Sequence, residues 1–146
     1  MSDARATRSR RWGSFPTTAD VGIWGRGASS AALFEALGLG LYALMTDLRK
    51  VRTSEERAVS AAGQDTTELV VAFLTELLNL EQTEQFVGRD IRARPVGNPP
   101  TAIVASVSGE RFDPDRHTSR TEVKAVTFHD LLFDPERGRA RVIVDI

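Results

Sequence analysis

The chain has 146 residues, of which 41% are hydrophobic and 27% charged, and its net charge is −1. This length and composition are typical of one folded domain with a buried core. The near-neutral charge argues against a protein that grips nucleic acid by itself, since neutralising phosphates requires clustered Lys and Arg. The absence of cysteine excludes a disulfide framework, thiolate catalysis and zinc–thiolate sites.

The start of the chain carries its one basic cluster, formed by Arg5, Arg8, Arg10 and Arg11. We expect residues 1–10 to form a disordered basic tail, and contact with RNA is the alternative interpretation of this charge. No apolar run follows these arginines, and no stretch is apolar over the length that a membrane crossing requires. We therefore expect a cytoplasmic protein with no membrane partner and no stable direct complex with nucleic acid.

The spacing of apolar and turn-forming residues predicts elements in the order β-β-α-β-α-β-β-β-β. They are strands over 11–15 and 21–25, a helix over 30–46, a strand over 57–62, a helix over 66–80, and strands over 86–96, 101–109, 122–133 and 139–146. Asp65 and Glu68 form a capping-box pattern before the second helix. We predict an α/β (α+β) fold, in which two helices pack on one face of a mixed, mostly antiparallel sheet within a single domain over 11–146.

Two glycines interrupt the first predicted helix. Gly38 and Gly40 each cost about 1 kcal/mol relative to alanine in a helix interior. Close packing against a sheet would justify both residues, so we expect them on the buried side of this helix.

The end of the last predicted strand places two negative charges on adjacent residues. The Asp145 side chain and the α-carboxylate of Ile146 directly follow the apolar run 140–144. At an effective dielectric near 20, two unit charges about 4 Å apart repel by roughly 4 kcal/mol. A bound cation that prefers oxygen ligands would make the electrostatic energy of this pair favourable. Asp20, at the end of a tight loop, can supply a third carboxylate. Such a set suits Ca²⁺, Mg²⁺ or Mn²⁺, although an Asp before a strand is also ordinary turn chemistry.

The motifs of common enzyme classes are missing from the sequence. There is no Gly-x-Ser-x-Gly nucleophile, no phosphate-binding loop that ends in Gly-Lys-Ser/Thr and no His-Glu-x-x-His pair. The two histidines are His117, in a charged loop, and His129, on a predicted strand. Either could act as a base, but a loop or surface role without catalysis is the interpretation that we favour. Glu110, Asp113 and Asp115 accompany His117, so this loop is read as solvated charge, with a second cation site as the alternative.

Several segments, in order along the chain, resemble the archease family. They are Thr18-Ala19-Asp20-Val21-Gly22, Leu44-Met45-Thr46-Asp47, Gly63 with Asp65 and Leu74-Thr75-Glu76-Leu77-Leu78, Gly109-Glu110, Glu122-Val123-Lys124-Ala125-Val126-Thr127-Phe128-His129, and Val142-Ile143-Val144-Asp145-Ile146. The similarity extends from about residue 12 to the last residue, which implies an archease-like domain over 11–146.

The resemblance implies a function. Archease is a non-enzymatic accessory protein that activates an RtcB-type RNA ligase, by promoting guanylylation and multiple turnover in tRNA splicing and RNA repair. The family binds a divalent cation, typically Ca²⁺. The cation ligands that the resemblance implies are Asp20, Asp145 and Ile146. The residues of the matching segments that we predict to contact the ligase are Glu110, Lys124 and His129.

Two departures from the family pattern keep alternatives open. The family usually reads Asp-His-Thr-Ala-Asp where this chain has Pro16-Thr17-Thr18-Ala19-Asp20, and Phe128 replaces the usual tyrosine. A divergent archease-like metal-binding module or chaperone with another protein partner is the alternative function. A metal-dependent hydrolase with His117 or His129 as base is a further hypothesis, but the missing nucleophile and second-metal patterns count against it.

Overall fold

A computed structural model describes residues 10–146. The predicted basic tail lies outside the described residues except for Arg10. In chain order the elements are β1 (Trp12–Pro16), β2 (Val21–Arg26), α1 (Ser30–Met45), a 3-10 helix (Leu48–Lys50), β3 (Glu55–Ala62), α2 (Thr66–Glu84), β4 (Phe86–Gly97), β5 (Pro100–Arg111), β6 (Ala125–Val126), β7 (Leu132–Asp134) and β8 (Arg139–Asp145). Neither helix of the described chain is long and apolar enough to cross a membrane.

The strands form two sheets, and every pairing found between residues 10 and 146 is antiparallel. In the larger sheet the order is β1-β2-β8-β6, and β7 also pairs with β8; in the smaller one β5 lies between β3 and β4. The predicted α+β class with two helices is therefore confirmed. The prediction of a single mixed sheet is wrong, since the strands form two antiparallel sheets. Local sequence patterns do not reveal this division, because pairings such as β2 with β8 join segments that are far apart in the chain.

The helices fill the space between the sheets. Helix α1 contacts β2 of the larger sheet and β4 of the smaller one, whereas α2 packs on β3 and β5. Phe34 of α1 meets Phe73 of α2 edge to face, with ring centroids 5.6 Å apart. Both side chains are fully buried, and burying a side chain of this kind contributes about 1.5–3 kcal/mol. The core that joins the two sheets is therefore built around α1.

Side-chain hydrogen bonds cap the starts of both helices, and those of α2 agree with the capping box predicted from Asp65 and Glu68. The Ser29 side chain accepts from the Ala32 N–H, and the Asp65 carboxylate accepts from the Glu68 N–H at 2.8 Å. In return, the Glu68 carboxylate accepts from the backbone N–H of Gln64 at 3.0 Å. These caps satisfy N–H groups that the first helical turn leaves without partners, at a typical gain of about 1 kcal/mol each.

The two glycines of α1 lie where the helix approaches its neighbours most closely. A Cβ atom on Gly38 would lie 2.6 Å from Ile91 of β4 and 2.8 Å from Leu77 of α2. A Cβ atom on Gly40 would lie 2.6 Å from Ile23 of β2. The expected close packing is confirmed, and it lets α1 contact both sheets at once.

The strand predicted over 122–133 is wrong as a continuous element. β6 and β7 both pair with β8, with Val126 opposite Val144 and Leu132 opposite Arg141. Six steps along the chain therefore match three steps along β8, and residues 127–131 loop out from the sheet. Asp130, with a φ of 49°, adopts the left-handed conformation that reverses the chain here. We call residues 127–131 the β6–β7 bulge.

Gly109 provides a test of the packing in the smaller sheet. An added Cβ atom would lie 2.0 Å from the Val87 carbonyl oxygen, a backbone atom of the neighbouring strand. Because that strand would have to shift, we expect Gly109→Ala to lower the free energy of unfolding by about 2–3 kcal/mol in urea denaturation. The matched control is Ser108→Ala on the same strand, which should change stability by less than about 0.5 kcal/mol. Equal denaturation midpoints for Gly109→Ala and the parent protein would contradict the described packing.

Candidate metal site and partner surface

The pairing of β2 with β8 brings the predicted metal ligands to one end of the larger sheet. Val21 lies opposite Val144, and the same register continued by one residue places Asp20 opposite Asp145. Ile146 follows Asp145 directly. We define the acidic tip as the side chains of Asp20 and Asp145 together with Ile146, whose α-carboxylate is the third ligand that we predicted from the sequence. Opposed residues of an antiparallel pair have Cβ atoms about 4.5–5.5 Å apart, a spacing at which two carboxylates can share one ion.

Local hydrogen bonds fix the backbone of the acidic tip. In the hairpin loop between β1 and β2, the Thr17 N–H donates to the Asp20 carbonyl at 3.2 Å, and the Asp20 N–H donates to the Thr17 hydroxyl at 3.0 Å. On the other strand, the Lys124 N–H donates to the Asp145 carbonyl at 2.8 Å. Hydrogen bonds therefore fix the backbone at both aspartates.

The donor chemistry of the acidic tip fits a hard divalent cation. None of the hydrogen bonds or ion pairs formed within residues 10–146 engages the carboxylate of Asp20 or of Asp145. No cluster of three His, Cys, Asp or Glu side chains suited to a metal occurs in the described chain. The tip offers two such side chains, and the third donor that we predict is the main-chain carboxylate of Ile146. Oxygen atoms of these kinds are the ligands that Ca²⁺ and Mg²⁺ take.

Lys124 flanks the acidic tip on the side away from Asp20. Ala125 of β6 lies opposite Asp145, so Lys124 occupies the next position, beside Ile146. The Lys124 residue is exposed. The end of β8 thus lies between an aspartate on one neighbouring strand and a lysine on the other.

The β6–β7 bulge places His129 and Phe128 at the surface near the tip. The Thr127 hydroxyl donates to the Ile143 carbonyl at 2.9 Å, which anchors the bulge to β8. The His129 side chain is 74% exposed, with Nε2 3.4 Å from an Asp130 carboxylate oxygen. Phe128 is 57% exposed, which is unusual for a large apolar side chain. The sequence predicts His129 but not Phe128 as a partner contact, because a continuous strand gives no reason to expect the aromatic ring in solvent.

Glu110 lies elsewhere, in a buried cluster beneath the 112–121 loop. Its carboxylate, only 9% exposed, accepts from the Arg52 N–H at 2.7 Å, Arg116 Nη2 at 2.6 Å and His117 Nε2 at 2.9 Å. His117 is also buried, and its Nδ1 accepts from the Asp113 N–H at 2.7 Å. Both ring nitrogens of His117 are therefore engaged, Nδ1 with the Asp113 backbone and Nε2 with Glu110. Glu110 and His117 hold the loop to the domain, whereas the sequence suggested a solvated loop.

The electrostatics of Glu110 follow from these contacts. Burial alone would raise the pKa of its carboxyl, but the hydrogen bonds from Arg116, the Arg52 backbone and His117 outweigh burial and lower the pKa to about 2. The carboxylate is therefore charged in the folded protein at any pH above this value. A group whose pKa falls on folding stabilises the protein above its unfolded pKa, and that contribution is lost as the pH falls through the folded value.

Removing this charge gives a pH-dependent prediction. We expect Glu110→Gln to lower the free energy of unfolding at neutral pH by about 2 kcal/mol or more, since Arg116 loses the closer of its two carboxylate partners and keeps only Asp113, at 3.6 Å. The difference from the parent protein should shrink as the pH falls from about 4.5 towards 2, because the parent carboxylate becomes protonated there. Urea denaturation across this pH range measures the difference. The pKa of Asp47 is also lowered to about 2, mainly by its hydrogen bond with Arg49. Because Asp47 is present in both proteins, its contribution cancels from the difference in unfolding free energy. A difference that stays constant with pH would contradict this account.

Comparison with known proteins gives a family for this arrangement. Residues 12–146 match the family model described as "Archease protein family (MTH1598/TM1083)". The chain belongs to the archease family. It is similar to the protein archease of Thermococcus gammatolerans, with 39% identity over 123 residues that cover 84% of this chain and 87% of the relative. It is also similar to the protein archease of Pyrococcus abyssi, with 35% identity over 141 residues that cover 94% and 99% of the two chains.

A solved structure supports the same assignment of fold. The chain resembles the solution structure of protein 1598 from Methanobacterium thermoautotrophicum, with a TM-score of 0.74 and 31% sequence identity. The match covers 94% of this chain and 99% of that one. The resemblance that the short segments indicated is therefore confirmed for the family and the fold.

Proposed function

We propose that this archease-family protein binds a divalent cation at the acidic tip and acts as a non-enzymatic activator of an RtcB-type RNA ligase. Ca²⁺ is the cation that the family resemblance implies, and Mg²⁺ or Mn²⁺ share its preference for oxygen ligands. The observation that supports the proposal is the register of β2 and β8, in which Val21 lies opposite Val144. Continued by one residue beyond β2, this register would bring Asp20 opposite Asp145 at the end of the sheet.

The surroundings of the acidic tip suit contact with a partner. Lys124 and the exposed His129 and Phe128 lie along β6 and the β6–β7 bulge, within a few residues of the tip. An exposed aromatic beside charged groups is typical of a protein contact. We propose that these residues dock on the ligase while the rigid tip, with its cation, enters the cleft where the ligase handles nucleotide and metal. Glu110, which is buried and hydrogen-bonded, would then act by holding the 112–121 loop and not by direct contact.

The metal ligands can be tested one by one. Isothermal titration with Ca²⁺ should show one site, and Asp20→Asn or Asp145→Asn should each weaken binding by about tenfold or more, since each removes a charged oxygen donor. A two-residue extension after Ile146 should weaken binding similarly, because it moves the α-carboxylate without changing any side chain. Ca²⁺ should raise the melting temperature of the parent protein by more than that of these three altered proteins.

The control for the titration is Asp90→Asn, an exposed acid on β4 in the other sheet. It should bind Ca²⁺ as the parent protein does. Absence of Ca²⁺ binding by the parent protein at about 1 mM would contradict the metal site and favour a protein-binding module without metal.

Ligase activation is tested by guanylylation and by multiple-turnover ligation with an RtcB-type ligase. We expect the parent protein to stimulate both, Asp145→Asn to abolish stimulation, and His129→Ala or Phe128→Ser to raise the concentration needed for half-maximal stimulation by about fivefold or more. Arg94→Ala, an exposed residue on β4, is the matched surface control. A protein that binds Ca²⁺ but leaves the ligase rates unchanged would support the alternative, an archease-like metal-binding module with another partner.

A further inference from the structure

The larger sheet has an outer face, which is turned away from α1. On its inner face, a Cβ atom on Gly25 would lie 3.1 Å from Ala36 and 3.4 Å from Leu37, both of α1. Because side chains alternate along a strand, the neighbours of Gly25 on β2 project to the outer face. There the strands form a groove of about 530 Å³, which we call the outer groove and which is lined by the side chains of Phe15, Trp24, Arg26, Leu132, Arg139 and Arg141.

Two aromatic rings of the outer groove lie flat on the sheet. A Cβ atom on Gly13 would lie 2.6 Å from each of Cε2, Cζ2 and Nε1 of Trp24, and one on Gly22 would lie at nearly equal distances from three ring carbons of Phe15. Nearly equal distances to several ring atoms mean that the face of each ring, and not its edge, covers the glycine. Covering glycines in this way stabilises a sheet, but it occupies only one face of each ring. The opposite ring faces are directed away from the sheet.

Two arginines of like charge face each other beside these rings. Arg26 of β2 lies directly opposite Arg139 of β8, and both residues are exposed. Like charges at directly opposed positions destabilise an antiparallel pair. Asp134 of β7 lies opposite Arg139 on the other side but pairs with Arg137 of the following turn, at 3.9 Å. None of the ion pairs formed within residues 10–146 engages Arg139. An anion bound between the two opposed arginines would remove their repulsion.

The arginines also add planar groups to the outer groove. The guanidinium carbon of Arg26 lies over the Trp24 ring, 5.2 Å from its centroid. Arg141 lies opposite Trp24, and its Nε donates to the Asp130 carbonyl at 3.0 Å, which holds the guanidinium beside the groove. Aromatic rings and guanidinium planes stack on unpaired bases, and arginine cations bind phosphates. The outer groove therefore combines the two kinds of group that recognise single-stranded nucleic acid.

We propose that the outer groove binds single-stranded RNA, with bases stacked on Phe15 and on the Arg26 guanidinium and with a phosphate held by Arg139. Arg141 supplies a second phosphate contact. Double-stranded RNA does not suit this surface, because its bases are already stacked on one another. The net charge of −1 gives no sign of the site, because it sums acids and bases over the whole chain, whereas these arginines share one face of one sheet.

The outer groove and the acidic tip lie on the same face of the larger sheet. Arg139 and Asp145 are separated by an even number of residues along β8, so both side chains project to the same side, about 20 Å apart. An RNA strand in the groove can therefore continue towards the cation that we propose at the tip. This direction, and the choice of RNA over DNA, rest on the proposed function, whereas the stacking and phosphate contacts do not.

Fluorescence anisotropy of a labelled single-stranded RNA octamer tests the proposal without any ligase, so RNA binding and ligase activation can fail separately. We expect a Kd of about 100 µM or tighter at about 50 mM salt, and a slope of about −2 for the logarithm of the binding constant against that of the salt concentration. An RNA duplex, and an abasic octamer that keeps the phosphates without the bases, should each bind about tenfold more weakly.

An octaglutamate peptide represents an acidic protein segment, the competing occupant of a basic groove. It should also bind about tenfold more weakly than the RNA octamer, because it offers charge without bases. If the peptide or the abasic octamer binds as tightly as the RNA, the proposal is overturned and the groove is a general anion surface. Absence of RNA binding at about 1 mM protein would overturn it as well.

Variants separate stacking from charge. Arg139→Gln and Arg141→Gln should each weaken RNA binding by about fivefold and reduce the salt slope by about 0.7, because each removes one phosphate contact. Phe15→Leu should weaken binding by about fivefold or more and leave the salt slope unchanged, because it removes a stacking face but no charge. Arg94→Gln, which removes an exposed arginine of β4 in the other sheet, is the matched control and should change neither quantity.

The melting temperature shows whether lost binding reflects lost folding. Arg139→Gln should leave the melting temperature equal or higher, because it removes one of two opposed like charges. This variant therefore keeps the test valid even if Phe15→Leu destabilises the sheet. Unchanged RNA affinity in Arg139→Gln and Arg141→Gln, or an equal loss of affinity in Arg94→Gln, would overturn the proposal.

Discussion

The pairing of β2 with β8 is the constraint on which the rest of the molecule depends. It joins segments from opposite ends of the described chain, and its inward side chains, Ile23, Val142 and Val144, are fully buried. A shift of register by one residue would turn these side chains to the other face of the sheet. Continued by one residue from Val21 and Val144, the same register brings Asp20 opposite Asp145, so the burial of the core and the position of the acidic tip depend on one pairing.

Helix α1 connects the larger sheet to the smaller one by packing against both. It can reach β2 and β4 at once only because Gly38 and Gly40 allow close approach on two sides. The smaller sheet in turn carries Glu110, whose buried carboxylate holds Arg52, Arg116 and His117 around the loop that leads to β6. The position of the surface near the tip therefore depends on both sheets and on the 112–121 loop, which the hydrogen bonds of the Glu110 carboxylate fix to the domain.

Local features were predictable from the sequence and distant pairings were not. Helix caps, apolar stripes and the two glycines act over a few residues, and the carboxylates at the chain end suggested a cation through charge alone. The division into two sheets could not be read from alternation, because alternation does not reveal which strands are neighbours. The prediction of one strand over 122–133 was wrong for a similar reason. The apolar pattern of this segment continues through the β6–β7 bulge, while Asp130 turns the backbone. The Glu110 cluster joins residues up to 65 positions apart, from Arg52 to His117, and leaves no periodic signal.

The position of β8 also bears on the order in which the protein is made. β8 pairs with β2, β6 and β7, so the middle of the larger sheet comes from the last strand to be synthesised among the described residues. The smaller sheet and α2 are contiguous in sequence, from β3 to β5, and can pair during synthesis. The larger sheet closes only after translation has reached residue 145. A carboxylate cluster that requires this strand thus exists only on chains that have been translated to the end of β8, and a prematurely terminated chain would lack both the sheet and the site.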